Sequence, residues 1–165
     1  MNSVMIRLAE LKDAPAVACL VSEAFVEYRP LYTPEGFAAT VITAAQVETR
    51  MSEGPVWAAI CENVIVGTIS VVRKGDSLYV RGMAVHPDAR GQRIGERLLK
   101  QTEDYAKKLS LARLSLSTTP FLDRAIGLYE KFGFQRTDEG PHELLGTPLF
   151  TMEKLLLHED LRRIS

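Results

Sequence analysis

The sequence predicts a mixed α/β (α+β) layer, a mostly antiparallel sheet flanked by helices. Three observations lead there. The apolar residues recur at helical spacing in four stretches and at strand spacing in seven. The order of those stretches is β-α-α-β-β-β-α-β-α-β-β, in which most strands follow one another through short turns. No repeat, low-complexity stretch or Gly/Ser/Pro-rich linker divides the 165 residues, so residues 1–165 read as one domain with a core of its own.

Val4-Met5-Ile6-Arg7-Leu8 opens as a strand. Asp13 followed by Pro15 marks a helix start, with Asp13 as the expected N-cap. Val17, Leu20, Val21, Ala24 and Phe25 form an apolar stripe, carrying that helix to about Tyr28. A second helix is expected from Pro34 to Met51, with Phe37, Val41 and Ala44 inward. Val56–Cys61 and Val64–Val72 are β-rich runs joined at Glu62-Asn63, where Asn tolerates the positive φ of a tight hairpin. Leu78–Val85 is a third strand of that group. Strict alternation puts Tyr79, Arg81, Met83 and Val85 on one of its faces, with Leu78, Val80, Gly82 and Ala84 on the other. His86-Pro87 stops it. A helix follows from about Gln92 to Leu109, then a short strand at Arg113–Ser117 and a helix at Leu122–Phe132 ended by Gly133. Phe134–Thr137 and Leu149–Leu155 close the sheet. Residues 138–148 between them read as a long loop.

Twenty basic and twenty-one acidic side chains leave a formal charge of −1, which argues against a broad nucleic-acid footprint. Cys19 and Cys61 sit in apolar neighbourhoods and are expected as buried thiols. No CxxC or His/Cys spacing suggests a metal. No apolar run reaches membrane-spanning length and no secretory leader is visible, so a soluble, cytoplasmic protein without a membrane partner is expected.

The most informative stretch is Val85-His86-Pro87-Asp88-Ala89-Arg90-Gly91-Gln92-Arg93-Ile94-Gly95, a strand, a polar turn and a helix start. Free N–H groups converge at a helix N-terminus, and the positive end of the dipole adds to them, which makes an anion site. Gly91 and Gly95 let a diphosphate and the sheet approach the backbone, while Arg90 and Arg93 supply charge-assisted bonds. Glycines and arginines alone fit a solvated strand-to-helix turn equally well. There is no Gly-Lys-Ser/Thr and no Gly-x-Gly-x-x-Gly after the first strand, which weakens a generic nucleotide-binding reading.

The spacing decides between them. Arg90-x-x-Arg93-x-Gly95 resembles the Gln/Arg-x-x-Gly-x-Gly/Ala motif of the GNAT superfamily of N-acetyltransferases, with Arg93 where glycine is usual. A non-glycine there is expected to keep a negative φ. Ala125-Ile126-Gly127-Leu128-Tyr129-Glu130-Lys131-Phe132-Gly133-Phe134 is similar to that family's second motif, Ala-x-x-x-Tyr-x-x-x-Gly-Phe. The family's frequent asparagine three residues before the alanine is Leu122 here. Together the motifs and the strand order cover roughly residues 4–155.

The resemblance implies a six- to seven-stranded sheet with about four helices, in which Leu78–Val85 and Arg113–Ser117 splay apart. It implies acetyl-coenzyme A as acetyl donor, held by Met83, Ala84, Val85, Arg90, Gly91, Gln92, Arg93, Ile94, Gly95 and Glu96. The implied reaction is direct acetyl transfer to an amine of a small molecule or a protein. Tyr129 then stands as the acid for the departing sulfur, with a backbone N–H of the Met83 strand as oxyanion donor. Some family members place a glutamate base near position 81. Arg81 stands there instead, and Glu27, His142 and Glu143 are weaker candidates than water. Arg81 shares a strand face with Met83 and, if that face lines the cleft, is a candidate for a substrate carboxylate, and Tyr28, Arg29 and Tyr32 are candidates for the acceptor wall. Homodimers are frequent in that family. A non-catalytic acyl-coenzyme A sensor is the competing function, and retention of Tyr129 favours the enzyme.

Overall fold

The computed structural model describes residues 3–156, so residues 1–2 and 157–165 of the expected single domain lie outside the described residues. Seven strands form one sheet in the order β1-β2-β3-β4-β5-β9-β6. They are β1 (Val4–Leu8), β2 (Val56–Cys61), β3 (Val64–Lys74), β4 (Ser77–Val85), β5 (Arg113–Thr118), β6 (Gln135–Thr137) and β9 (Phe150–Leu155). All neighbours are antiparallel except β4 and β5. The mixed, mostly antiparallel sheet with flanking helices is the one expected. At the β2–β3 hairpin Glu62 and Asn63 have φ of 50° and 65°, the paired positive values of a type I′ turn.

Among the described residues five α-helices flank the sheet: α1 (Ala14–Phe25), α2 (Pro34–Thr40), α3 (Ala44–Glu53), α4 (Ile94–Lys108) and α5 (Asp123–Phe132). The expected second helix over residues 34–51 is in fact two. Val41 turns extended, and Thr43 starts α3 with a capping box: its Oγ1 accepts from Gln46 N at 3.2 Å while Gln46 Oε1 accepts from Thr43 N at 2.8 Å. The first helix also departs from expectation. It stays α-helical only to Phe25 and continues as a tighter 3-10 turn over Val26–Leu31, because Pro30 has no N–H for the α-helical ladder. Asp13 is not the side-chain cap of α1. Its carboxylate instead accepts from Glu10 N at 2.8 Å and pairs with Arg7 at 2.7 Å, which holds its pKa below the usual carboxylate range. Cys19 is exposed and Cys61 half-buried, both as free thiols, correcting the expectation of two buried ones. The α1 stripe Val17, Leu20, Val21 and Ala24 faces inward and leaves Cys19 on the solvent side.

Within the late loop a small hairpin forms, β7 (Glu143–Leu144) and β8 (Thr147–Pro148), turning at Leu145-Gly146 with φ of 48° and 92°. Thr147 Oγ1 accepts from Thr33 N at 2.9 Å and so ties this hairpin to the start of α2.

The larger core packs Ile69, Val71, Leu78, Val80, Leu98, Leu99 and Leu116 on the α4–α5 side, and smaller clusters under α1 and α3 cover the opposite face. One irregularity shapes the space between. Ser70 pairs with Gly82, but Val71 pairs with Val80, so Arg81 has no opposite residue and forms a bulge. A bulge shifts side-chain parity. Ile69 and Val71 share one face of β3, and their partners are Met83 and Val80, so Val80 and Met83 face the same side. The alternation expected along Leu78–Val85 therefore breaks at Arg81. Arg81 reaches instead toward α3, with Nη1 3.1 Å from Glu53 and Nη2 donating to the Arg50 carbonyl at 3.3 Å.

Candidate active site between diverging strands

β4 and β5 pair only from Ser77/Arg113 to Val80/Leu116. Beyond that point the strands part, as expected, on the side where the bulge bends β4. His86 N donates to Val66 O at 2.8 Å, so residues 66 and 86 form a hydrogen-bonded pair. The ladder alternates, which makes 68/84 and 70/82 bonded pairs as well. The N–H and C=O groups of Met83 and Val85 consequently point away from β3, toward the gap.

The loop after β4 carries the second feature. Gly91 and Arg93 both have left-handed backbone, with φ of 86° and 60°. Arg93 thus departs from the negative φ expected of it, and α4 starts at Ile94 rather than Gln92. Alternating handedness turns successive N–H groups into a concave nest, which attracts anions. Among the described residues no acceptor takes the N–H groups of Gly91 through Glu96, the next bond being Arg97 N to Arg93 O. Gly95 permits close packing where α4 meets α5: a Cβ there would stand 2.7 Å from Leu128 Cδ2 and displace that side chain. Arg90 is ion-paired with Glu27, and His86 Nε2 meets Glu23 Oε2 at 2.6 Å, so two acids one turn apart hold the loop against α1 and its extension.

Two spaces meet here. An outer cleft of about 670 Å³ is lined by every expected donor-binding residue except the exposed Gln92: Met83, Ala84, Val85, Arg90, Gly91, Arg93, Ile94, Gly95 and Glu96. An inner cavity of about 280 Å³ lies between α1, α3 and the sheet. Phe25, Met83, Leu122 and Tyr129 line both and form the collar between them. Leu122, in place of the family's asparagine, contributes apolar surface to that collar.

Tyr129 is 7% exposed, its ring 5.7 Å from Phe134. Burial, with a smaller contribution from Tyr32, pushes its pKa well above the usual phenol value. Its hydroxyl therefore stays protonated, and no group among the described residues bonds it. Of the other candidates, Tyr32 is buried in the inner cavity, edge-on to Phe121 at 4.8 Å. Arg81 also lines that cavity, whereas Tyr28 lines the outer cleft. Arg29 lies over the Phe37 ring at 5.4 Å and lines neither space. Glu27 is occupied by Arg90, while His142 and Glu143 are exposed and outside both spaces. No carboxylate or imidazole lines the inner cavity among the described residues. The sequence reading missed Arg50, Ser70 and Thr118, which come to the inner cavity from three separate elements with no motif to mark them.

Among the described residues there is no group of three or more His, Cys, Asp or Glu placed to hold a metal, and no helix long and apolar enough to cross a membrane. The fold is that of PaiA N-acetyltransferase from Thermoplasma acidophilum, a structure solved with coenzyme A. The TM-score is 0.81 at 18% identity, over 93% of this chain and 99% of that one. In sequence the chain is 26% identical over 143 residues to the N-acetyltransferase YjgM of Escherichia coli, covering 83% of this chain and 85% of YjgM. It is 41% identical over 75 residues to an IAA acetyltransferase of Azospirillum brasilense, 46% of this chain and about half (48%) of that protein. The model of the acetyltransferase (GNAT) family matches residues 19–134, well over half the chain and both motif segments. The chain belongs to the GNAT acetyltransferase family.

Proposed function

We propose that this protein transfers an acetyl group from acetyl-coenzyme A to a primary amine of a small molecule or a protein. One observation carries the reading: a row of amides, Gly91–Glu96, without partners among the described residues, opens a cleft that meets an inner cavity at the buried hydroxyl-bearing ring of Tyr129. The donor fits this cleft, because its diphosphate needs such donors and its extended arm needs the strand edge left open at Met83 and Val85.

Acetyl-coenzyme A supplies the acetyl group activated as a thioester. The chain's own residues do the rest. The N–H groups of Gly91–Glu96 bind the diphosphate, with Arg90 and Arg93 adding charge. Met83 and Val85 offer N–H and C=O groups that align the arm like an added strand. The apolar collar of Phe25, Met83 and Leu122 keeps bulk water from the junction. Tyr129 Oη holds a proton at that junction, for release toward the sulfur end of the cleft. With no acid or imidazole lining the inner cavity among the described residues, water removes the proton of the incoming amine.

Titration with acetyl-coenzyme A, followed by thiol release across a panel of amines, tests this. Saturable binding with amine-dependent release is expected. Binding without release from any amine would instead make the protein a sensor of acyl-coenzyme A.

A further inference from the structure

The inner cavity holds a charge that acetyl transfer by itself does not require. Arg50 of α3 reaches over β4, its Nη1 3.2 Å from where a Cβ on Gly82 would lie. Among the described residues its guanidinium has no carboxylate at ion-pair distance and no hydrogen-bond acceptor. Burial and the neighbouring Arg81 push its pKa below the usual arginine value, against the opposing pull of Glu53 and Tyr79. Arg81 is the partnered one, through Glu53. Even so, Arg81 Nε is buried without a partner among the described residues, as are Ser70 Oγ and Thr118 Oγ1, and all three belong to the lining of this cavity. Ser70 stands opposite Gly82 in the sheet and so next to Arg50. Buried polar groups are ordinarily paired, and the half-buried Arg50 guanidinium lies open to the cavity. The wall is a set of donors lacking an anion.

We propose that the inner cavity takes an acceptor amine bearing a carboxylate, a free α-amino acid with an apolar side chain, and that Arg50 binds the carboxylate. The planar guanidinium matches a carboxylate through two parallel bonds. Arg81, fixed by Glu53, keeps the local potential positive and is a positioning residue. Val17, Val21, Ile42, Val47 and Leu116 offer apolar surface to the side chain. The volume of about 280 Å³ sits at the small end of ligand pockets, which suits a free amino acid. Among the described residues no acidic side chain lines the wall to receive the second cation of a polyamine. The fate of the amine rests on the acetyl-transfer reading; the carboxylate contact does not.

The test therefore has a binding arm and a turnover arm, on the full chain and on Arg50→Gln and Arg50→Lys. Calorimetric titration with N-acetyl-L-leucine and N-acetyl-L-leucinamide is expected to favour the acid by about tenfold or more in the wild type. That ratio falls to near one in Arg50→Gln and is partly kept in Arg50→Lys, with acetyl-coenzyme A binding equal in all three as the folding control. In turnover, L-leucine exceeds L-leucinamide in kcat/KM, and Arg50→Gln narrows the gap. A wild type that prefers the amide or a leucine-led peptide overturns the proposal, as does a ratio unmoved by Arg50→Gln. Absence of thiol release with every amine removes the acetyl-transfer reading alone, since the titration still decides the carboxylate site.

Discussion

The outer cleft and the inner cavity touch at four residues yet are built on opposite plans. The outer cleft is made largely of backbone: the amides of residues 91–96 and the open edge of β4 at Met83 and Val85. The inner cavity is made of side chains brought from α1, α3, β3, β4 and β5. Backbone donors recognise what every donor molecule of one class shares, a diphosphate and an extended amide arm, and tolerate changes of side chain. A wall of side chains depends on each residue that builds it, and a single exchange rewrites its chemistry.

The comparison breaks first at the collar, where the two regions share Tyr129. Replacement by Phe is expected to lower kcat by about 10²-fold, the lower range of acid catalysis, with acetyl-coenzyme A affinity unchanged in titration. Equal turnover would remove Tyr129 from the reaction. The same variant has a pH signature. The folded phenol titrates above the unfolded value, so stability is complete below about pH 10 and declines as pH rises past it. Alkaline unfolding curves should show Tyr129→Phe losing less stability over that interval.

A smaller effect is expected from Arg90→Ala: cofactor affinity about tenfold weaker, measured by titration, with the fold intact. Part of that loss comes from Glu27, left unpaired beside the phosphate site, and Arg90→Ala combined with Glu27→Gln should recover it. The smallest and sharpest is Arg93→Gly. Relief of left-handed strain, about 1–2 kcal/mol, exceeds the added chain entropy of glycine, about 0.5–1 kcal/mol. Thermal unfolding should show a gain of roughly 0.5 kcal/mol, while cofactor affinity falls only a few-fold because the amides stay in place.

This contrast also explains what could be read in the sequence. The succession of strands and helices along the chain, the hairpin at Glu62-Asn63 and the Gly133 helix stop are local, each set by residues within a few positions of one another. The parity along Leu78–Val85 was not legible, because the bulge at Arg81 is a property of pairing with β3 rather than of β4 alone. The break at Val41–Thr43 was hidden under a continuous helical apolar spacing, although Thr43-x-x-Gln46 carries a capping-box pattern. Arg93 appeared as a departure from a motif, and only the backbone shows that the arginine accepts the glycine-like conformation. Arg50 lies 32 positions from Gly82, and no spacing rule joins an arginine on one helix to a glycine on a distant strand. Arg29, by contrast, was expected at the acceptor wall by position and lines neither the cleft nor the cavity.

The unpaired residue in β4 has an evolutionary corollary. Deleting Arg81 would put Gly82 directly after Val80 and restore an unbroken ladder with β3. The straightened strand would then continue alongside β5, closing the gap that opens beyond Val80 and Leu116. A passage through the middle of a sheet is thus one codon away from solid protein, and tolerance to length changes in this strand should be among the lowest in the chain, far below that of the late loop around Gly140.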